Sequence, residues 1–149
     1  MSDDGKSSFP AAIEQFKMMI SGLPELVDVQ IIDGFPGPEI EMQSVVVAPS
    51  ASIVDDWQSL GCRRRSEQWS TKVYVTVARP DDSVVEARAR AFQIVDGIAT
   101  ALKRDAVAVE LNRTVLWSSF HRTQYVTFVG ENGGAGAQIE CDLAGRSNY

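Results

Sequence analysis

The sequence predicts an α+β fold in which two helices pack on one face of a mainly antiparallel sheet. Two stretches each carry a single apolar stripe with helical spacing, and several others alternate between apolar and polar residues with a period of two. They follow one another in the order α-β-β-β-α-β-β-β. Because each stripe and each alternating stretch buries one face, helices stacked on one side of a sheet would cover them all.

The first helix is predicted over Phe9 to Ser21. Its apolar residues recur at spacings of four and three, which places them on one side of a helix. Pro10 suits the first helical turn, and Gly22 followed by Pro24 ends the helix.

Two strands are predicted next, over Leu26 to Ile32 and over Met42 to Ala48. The cluster from Gly34 to Pro38 between them indicates a turn or short loop, because its prolines cannot donate to a ladder and its glycines allow positive φ. From Pro49 to Glu67 the alternation fails, which predicts a long loop. Loops of that length inside a compact domain are usually functional or disordered.

The strongest pattern runs from Gln68 to Leu102. Alternation up to Val77 predicts a strand with one buried face. Ser83 followed by Glu86 fits a capping box, and the apolar residues after it fall on one stripe of a helix. This segment predicts architecture and offers no chemistry.

The last third of the chain is predicted to form strands. Val107 to Leu111 alternates, a second short strand covers Thr114 to Phe120, and Tyr125 to Val129 continues the pattern. The glycine-rich run at 130–136 leads into another alternating strand. A phosphate-binding loop leads into a helix instead, so this run predicts a hairpin connection.

Length and charge limit the possible functions. A chain of 149 residues suits one domain, predicted here over residues 9–149 after a flexible polar tail at 1–8. The formal net charge of -6 argues against sequence-specific nucleic-acid binding. No run approaches the ~18 apolar residues of a membrane span and the N-terminus lacks the features of a signal peptide, so we expect an intracellular protein without membrane contact.

The residue types do not assemble into an active site. His121 is the only histidine, and a Ser-His-Asp arrangement would need Ser118 or Ser119, neither of which lies in an elbow motif. A surface or turn histidine is the preferred interpretation. Cys62 and Cys141 lack the spacing of a zinc site, and Cys141 is predicted to be a small core residue, with an interface thiol as the alternative. We predict no catalytic residue, no metal and no cofactor.

One cluster points to an interaction surface. Trp57 and the run Arg63-Arg64-Arg65 lie in the segment without alternation, and tryptophan and arginine are enriched in binding hot spots. A solvated loop is the alternative interpretation. The sequence therefore predicts Trp57, Arg63, Arg64 and Arg65 as a subunit or partner interface.

The order of elements, the mass of 16.3 kDa and the acidic composition resemble the tail terminator, or tail completion, proteins of long-tailed bacteriophages and phage-like particles. The resemblance is carried by the helix from Phe9 to Ser21, the strand pair VDVQIIDGF and QSVVVAP, the long loop, and QWSTKVYVTVARPDDSVVEARARAFQIVDGIATAL. It covers most of the chain through diffuse patterns rather than invariant motifs. The glycine-rich hairpin and the arginine-rich loop depart from the family pattern.

The resemblance implies a structural function without catalysis. Proteins of this family form a hexameric ring that caps the tail tube, stops its polymerisation and joins the tail to head-completion proteins. The implied partners are further copies of the chain, the tail tube protein and a head-completion or connector protein. The implied location is the tail or neck of a virion assembled in the host cytoplasm. Two alternatives stay open: another head-tail connector, head-closure or tail tube subunit, and a small ligand-binding module or enzyme.

Overall fold

A computed structural model of the chain describes residues 9–34, 43–57, 65–79, 84–104, 107–109, 113–129 and 134–148. The helices are α1 (Phe9–Ser21) and α2 (Val84–Arg104), and a 3₁₀ turn covers Pro24–Leu26. The strands are β1 (Gln30–Asp33), β2 (Gln43–Trp57), β3 (Arg65–Arg79), β4 (Val107–Val109), β5 (Arg113–Val129) and β6 (Ala135–Asn148). This order confirms the predicted α+β fold and its α-β-β-β-α-β-β-β succession.

The strands form one sheet in the order β1-β2-β3-β6-β5-β4. Its central strands β3 and β6 pair along almost their full length, from Ser66 opposite Asn148 to Arg79 opposite Ala135. All neighbouring strands are antiparallel except β1 and β2, which are parallel. The sheet is therefore mainly antiparallel, as predicted, with one parallel pair at an edge.

Both helices pack on one face of the sheet, which we call the inner face. α2 lies across β3, β5 and β6 and buries the apolar stripe that the sequence predicts. α1 contributes Phe16 and Ile20, both without solvent exposure. The largest fully buried apolar side chains are Phe16, Ile20, Val45, Val47, Val73, Val75, Val77, Ile94, Ile98, Ile139 and Leu143.

Arg90 of α2 connects three elements at the margin of this core. Its Nε donates to Gln43 Oε1 at 2.7 Å, and its Nη2 donates to the backbone carbonyl of Glu25 at 2.7 Å. A third bond joins Nη1 to Gln93 Oε1 at 3.1 Å. Hydrogen bonds from a charged donor are stronger than neutral ones, so this side chain holds the start of β2 and the 3₁₀ turn against α2.

The first predicted strand is wrong in its first half. The 3₁₀ turn occupies Pro24–Leu26, and β1 begins only at Gln30. Pro24 has the fixed φ that suits a helical turn, and the Leu26 and Val29 amides donate to the carbonyls of Leu23 and Leu26. These local bonds remove the segment from the extended conformation. The predicted turn at 34–38 lies outside the described residues except for Gly34, whose φ is +90°.

The predicted long loop from Pro49 to Glu67 is also wrong. β2 continues to Trp57 and β3 starts at Arg65, and the two strands pair over this stretch from Ala51 opposite Thr71 to Trp57 opposite Arg65. Only residues 58–64 of the predicted loop lie outside the described residues.

The alternation of apolar and polar residues is lost after Ala48 for two physical reasons. The register shifts between Val47 and Ala51, and a bulge of this kind changes which face later residues occupy. Residues 51–54 are exposed on both faces of the sheet. A strand without a buried face gains nothing from alternation, so the sequence carries no period of two.

β5 is one strand of 17 residues, whereas the sequence suggested two shorter ones. Register shifts fall between Trp117 and Ser119 and between Arg122 and Gln124. Phe120 and Tyr125 are five residues apart and would face opposite sides of a regular strand, yet both pack against the core. The second bulge makes this possible and explains why the alternation looks interrupted.

Two glycines of β6 give a matched stability test. A Cβ at Gly145 would lie 2.5 Å from Cζ2 of Trp69, and a Cβ at Gly136 would overlap the Phe128 ring. Trp69 is buried and packs edge-on against Phe9 at 5.1 Å, whereas Phe128 is partly exposed. We expect Gly145→Ala to cost about 1–3 kcal/mol of unfolding free energy through overpacking.

Gly136→Ala should cost clearly less, because the Phe128 ring can turn toward solvent. Urea denaturation of both variants measures the difference in midpoint. Equal losses in the two variants would contradict the assigned packing of Trp69.

Candidate interaction surfaces

The structure places two of the four predicted interface residues together. Trp57 is the last residue of β2 and Arg65 is the first residue of β3, and their backbones are cross-strand partners. Arg63 and Arg64 lie outside the described residues. Trp57 and Arg65 therefore lie at the end of a β-hairpin rather than in a long loop.

β2 has an open side along the part that leads to this hairpin end. β1 pairs with β2 only up to Asp33 opposite Val47. Among the described strands, none pairs with that side of β2 over residues 51–57, and we call this side the β2 edge. The 51–54 segment, Ala-Ser-Ile-Val, contains no charged residue and is exposed throughout.

β5 has an open side at the opposite end of the sheet order. β4 pairs with β5 only at residues 113–115. Within the described part of the chain, no strand pairs with the remainder of this side, residues 116–129, which we call the β5 edge. Its 124–129 segment, Gln-Tyr-Val-Thr-Phe-Val, is also free of charge and largely exposed.

On the inner face of the sheet, the exposed Arg122 side chain links β5 to α2. Arg122 Nη1 donates to Asp96 Oδ1 at 2.8 Å, and the guanidinium lies 5.6 Å from the centre of the Phe92 ring. Phe92 in turn contacts the Tyr125 ring at 5.6 Å. These contacts attach the outermost long strand to the helix layer, so the β5 edge is held in place.

The face of the sheet away from the helices, the outer face, carries a band of charged residues. Lys72 forms an ion pair with Asp142, which raises the pKa of the Lys72 ammonium, and Glu140 lies 4.0 Å away. His121 Nε2 lies 3.6 Å from Asp142 Oδ2, and Thr123 donates to Glu140 at 3.0 Å. All of these side chains are solvent-accessible, so the band is a polar surface and not an enclosed site.

Beside this band the outer face has an apolar groove of about 490 Å³. Burial and the nearby Glu140 carboxylate raise the pKa of Tyr74, which stands in its wall. Ser44 at its margin is buried, and its hydroxyl has no hydrogen-bond partner among the described residues. The groove is lined by Gly34, Ser44, Val46, Ala48, Pro49, Tyr74, Thr76, Phe128 and Gln138.

His121 and Cys141 occupy ordinary positions in the fold. His121 is an exposed strand residue, in line with the preferred interpretation. Cys141 is fully buried, as predicted for a core residue, and Cys62 lies outside the described residues. Within the described ranges, no three histidine, cysteine or carboxylate side chains gather in a way that could hold a metal ion. Neither described helix combines the length and apolarity needed to cross a bilayer.

We expect the Cys141 thiol to be inert in the folded protein. Desolvation raises its pKa to about 12, and thiolate is the reactive form of cysteine. In a Cys62→Ser variant, iodoacetamide at pH 8 should leave Cys141 unmodified until guanidinium unfolds the chain, as read by intact mass. Rapid stoichiometric alkylation of the folded variant would contradict the buried placement.

Sequence reasoning missed the two sheet edges. The sequence pattern places the 51–54 segment in a predicted loop, and the pattern from Tyr125 to Val129 predicts a strand without showing that it lies at an edge. The available signal was the absence of charge in both segments, since natural edge strands usually carry lysine or another charge that prevents pairing.

The fold resembles that of a known virion protein. No known family model matches the chain, and no curated protein matches its sequence. The structure is similar to a chain of a solved structure described as "Virion of native gene transfer agent (GTA) particle", with a TM-score of 0.50 and 10% sequence identity. The similarity covers 98% of this chain and 99% of the other. At this identity the comparison shows a shared fold.

Proposed function

We propose that this protein is a structural virion protein that caps the tail tube as a hexameric ring, ends tube polymerisation and joins the tail to the head-completion proteins. The observation that carries the proposal is the similarity of nearly the whole chain to nearly the whole of a chain from a phage-like particle. A structural similarity that extends over both chains favours a shared role more strongly than a similarity limited to one substructure.

The exposed surfaces suit a subunit of an assembly. Both helices cover the inner face, so the outer face and two sheet edges are available for contacts. The described part of the chain presents broad, mixed polar and apolar surfaces, which are typical of protein interfaces. A role in assembly requires such surfaces and no catalytic group, so the proposed function is not enzymatic.

The terminator role itself rests on the sequence resemblance. In this role the chain would lie in the tail or neck of the virion after assembly in the host cytoplasm. Its partners would be further copies of itself, the tail tube protein and a head-completion or connector protein. The interface proposed from the sequence, Trp57 with Arg63, Arg64 and Arg65, would contact a neighbouring copy or the tube.

The oligomeric state of the purified chain gives the first test. Native mass spectrometry should report six times the 16.3 kDa chain mass, and negative-stain images should show closed rings. Open tubes of indefinite length would favour a tail tube subunit instead. A chain that is monomeric at every concentration would count against the ring.

Particles assembled without this chain give the decisive test. We expect tails of uncontrolled length and heads without attached tails, and we expect supply of the parent chain to restore normal particles. Particles of normal tail length and normal attachment in its absence would show that the proposed function is wrong.

A further inference from the structure

We propose that neighbouring copies of this chain join edge to edge, with the β5 edge of one copy pairing antiparallel to the β2 edge of the next. The inference rests on the proposed ring and names the surface that closes it. Two uncharged segments carry it, 51–54 on the β2 edge and 124–129 on the β5 edge.

Asp55 and Asp56 on the β2 edge and Arg122 on the β5 edge carry charge, whereas the 51–54 and 124–129 segments lack the charges and prolines that protect open strands. Open strands expose backbone donors and acceptors, and monomeric proteins block them with charges, prolines or very short strands. Here the two segments expose β-branched residues instead: Ile53 by 45%, Val54 by 59%, Val126 by 38% and Val129 by 80%. Uncharged segments of high β-propensity at an open edge pair readily with another strand, which indicates that these edges are covered in the working state.

The strand directions make the two edges complementary. β2 is antiparallel to β3, β3 to β6, and β6 to β5. After these three reversals, β5 runs opposite to β2. A second copy in the same orientation can therefore place its β5 edge against the β2 edge of the first copy and form an antiparallel ladder, the more stable type of pairing.

The short outer strands fit the same arrangement. β1 ends at Asp33 opposite Val47, so a strand that enters antiparallel along the open part of β2 has to stop before Asp33, and β5 ends at Val129. β4 covers the other end of β5 at residues 113–115, which leaves the 124–129 segment free to enter. β1 and β4 each pair with one part of the neighbouring long strand and leave the rest of that strand open to pair with another copy.

This contact is heterologous, because it joins two different edges. Repetition of such a contact gives a closed ring when the rotation between copies divides the circle, and an open filament otherwise. Because no copy is turned over, the helices of all copies lie on the same side of a continuous sheet. The two free segments lie toward opposite ends of the sheet along the strand direction. Pairing them shifts each copy along the strands relative to its neighbour, as the strands of closed barrels are shifted.

Charged residues at each edge test the inference. The variant Ile53→Lys with Val54→Lys changes the β2 edge, and Val126→Lys with Val129→Lys changes the β5 edge. The control, Val27→Lys with Val85→Lys, adds the same charge at residues exposed by 77% and 65% away from both edges. We expect both edge variants to keep the parent circular dichroism spectrum and to be monomeric at concentrations at which the parent and the control form rings.

Mixing the two edge variants distinguishes this contact from other edge pairings. Each variant retains the edge that the other has lost, so an equimolar mixture should give a one-to-one heterodimer that grows no further. Native mass spectrometry resolves the species if one variant carries a ¹⁵N label. Homodimers of either variant, or a mixture that stays monomeric, would overturn the head-to-tail pairing.

The outcomes also separate this inference from the proposed function. Rings that persist in either edge variant, together with normal tails in particles, would overturn the edge contact and leave the terminator role standing. If the purified parent chain never forms rings and particles assembled without it have normal tails, both the edge contact and the terminator role are wrong. Loss of rings in both edge variants with a heterodimer in the mixture supports the inference.

Discussion

Replacing Phe16 by alanine is expected to lower the free energy of unfolding by about 3–5 kcal/mol, the range for removing a buried aromatic ring from a core. Phe16 has no solvent exposure and belongs to the core cluster that α1 shares with α2 and the sheet. Its removal leaves a cavity between the helix layer and the inner face. Because natural domains are stable by only about 5–15 kcal/mol, this loss is a large fraction of the total.

Met18 provides the control on the same helix. It lies two residues further along α1 and is 65% exposed, so Met18→Ala should change the unfolding free energy by less than about 0.5 kcal/mol. Urea titrations followed by circular dichroism measure both variants. A similar, small loss in both would mean that α1 does not pack on the sheet through Phe16.

The parts of the fold that the sequence predicted well are those with one buried face. In α1 and α2 a single stripe is buried, and both helices occupy the predicted residues. In β6, Ile139, Cys141 and Leu143 are fully buried, while Glu140 and Asp142 on the alternate face form ion pairs. Burial of one face imposes a period on the sequence, and that period can be read directly.

The errors fall where burial imposes no period. β2 beyond Val47 has exposed residues on both faces, so nothing in its sequence distinguishes it from a loop. The bulges in β5 change the face to which residues belong, and they are visible only once the partner strand is known. The turn at Pro24–Leu26 arises from local hydrogen bonds that compete with an apparently alternating segment.

The candidate site could be predicted only in part for the same reason. The enrichment of tryptophan and arginine in binding hot spots singles out Trp57 and Arg65. The structure makes these two residues cross-strand partners. The sheet edges depend on which strands pair, and strand order is not encoded in any local pattern. Edge position is a property of the whole topology, so the 51–54 and 124–129 segments acquire significance only in the folded sheet.

Reversing the charge of Arg63, Arg64 and Arg65 together is expected to abolish closed rings while leaving the domain folded. Arg65 is the first residue of β3, at the end of the β2–β3 hairpin, and Arg63 and Arg64 directly precede it in the sequence. In the proposed ring they meet carboxylates of a neighbouring copy, which an acidic chain with 20 aspartate and glutamate residues supplies in number. Replacing each arginine by glutamate turns these attractions into repulsions at every contact of the ring.

Two controls separate a specific contact from a general effect of charge. A triple change to glutamine removes the attraction without adding acid, so it should weaken the ring rather than abolish it. The single variants Arg64→Glu and Arg88→Glu alter the net charge equally, and Arg88 is exposed on α2. Only Arg64→Glu should lower the ring population in light scattering. Added salt should weaken the parent contact as well, since exposed ion pairs are screened within about 8 Å at physiological ionic strength.

In particles, the triple glutamate variant should behave like absence of the chain, with tails of uncontrolled length and heads without tails. The reason is geometric: a ring that cannot close presents no complete surface to the end of the tube or to the head. Thermal melts that match the parent would locate the defect in assembly rather than in folding. If the triple glutamate variant still forms rings of the parent mass and supports normal tails, the hairpin end has no part in ring closure, and the arginines are solvated surface residues.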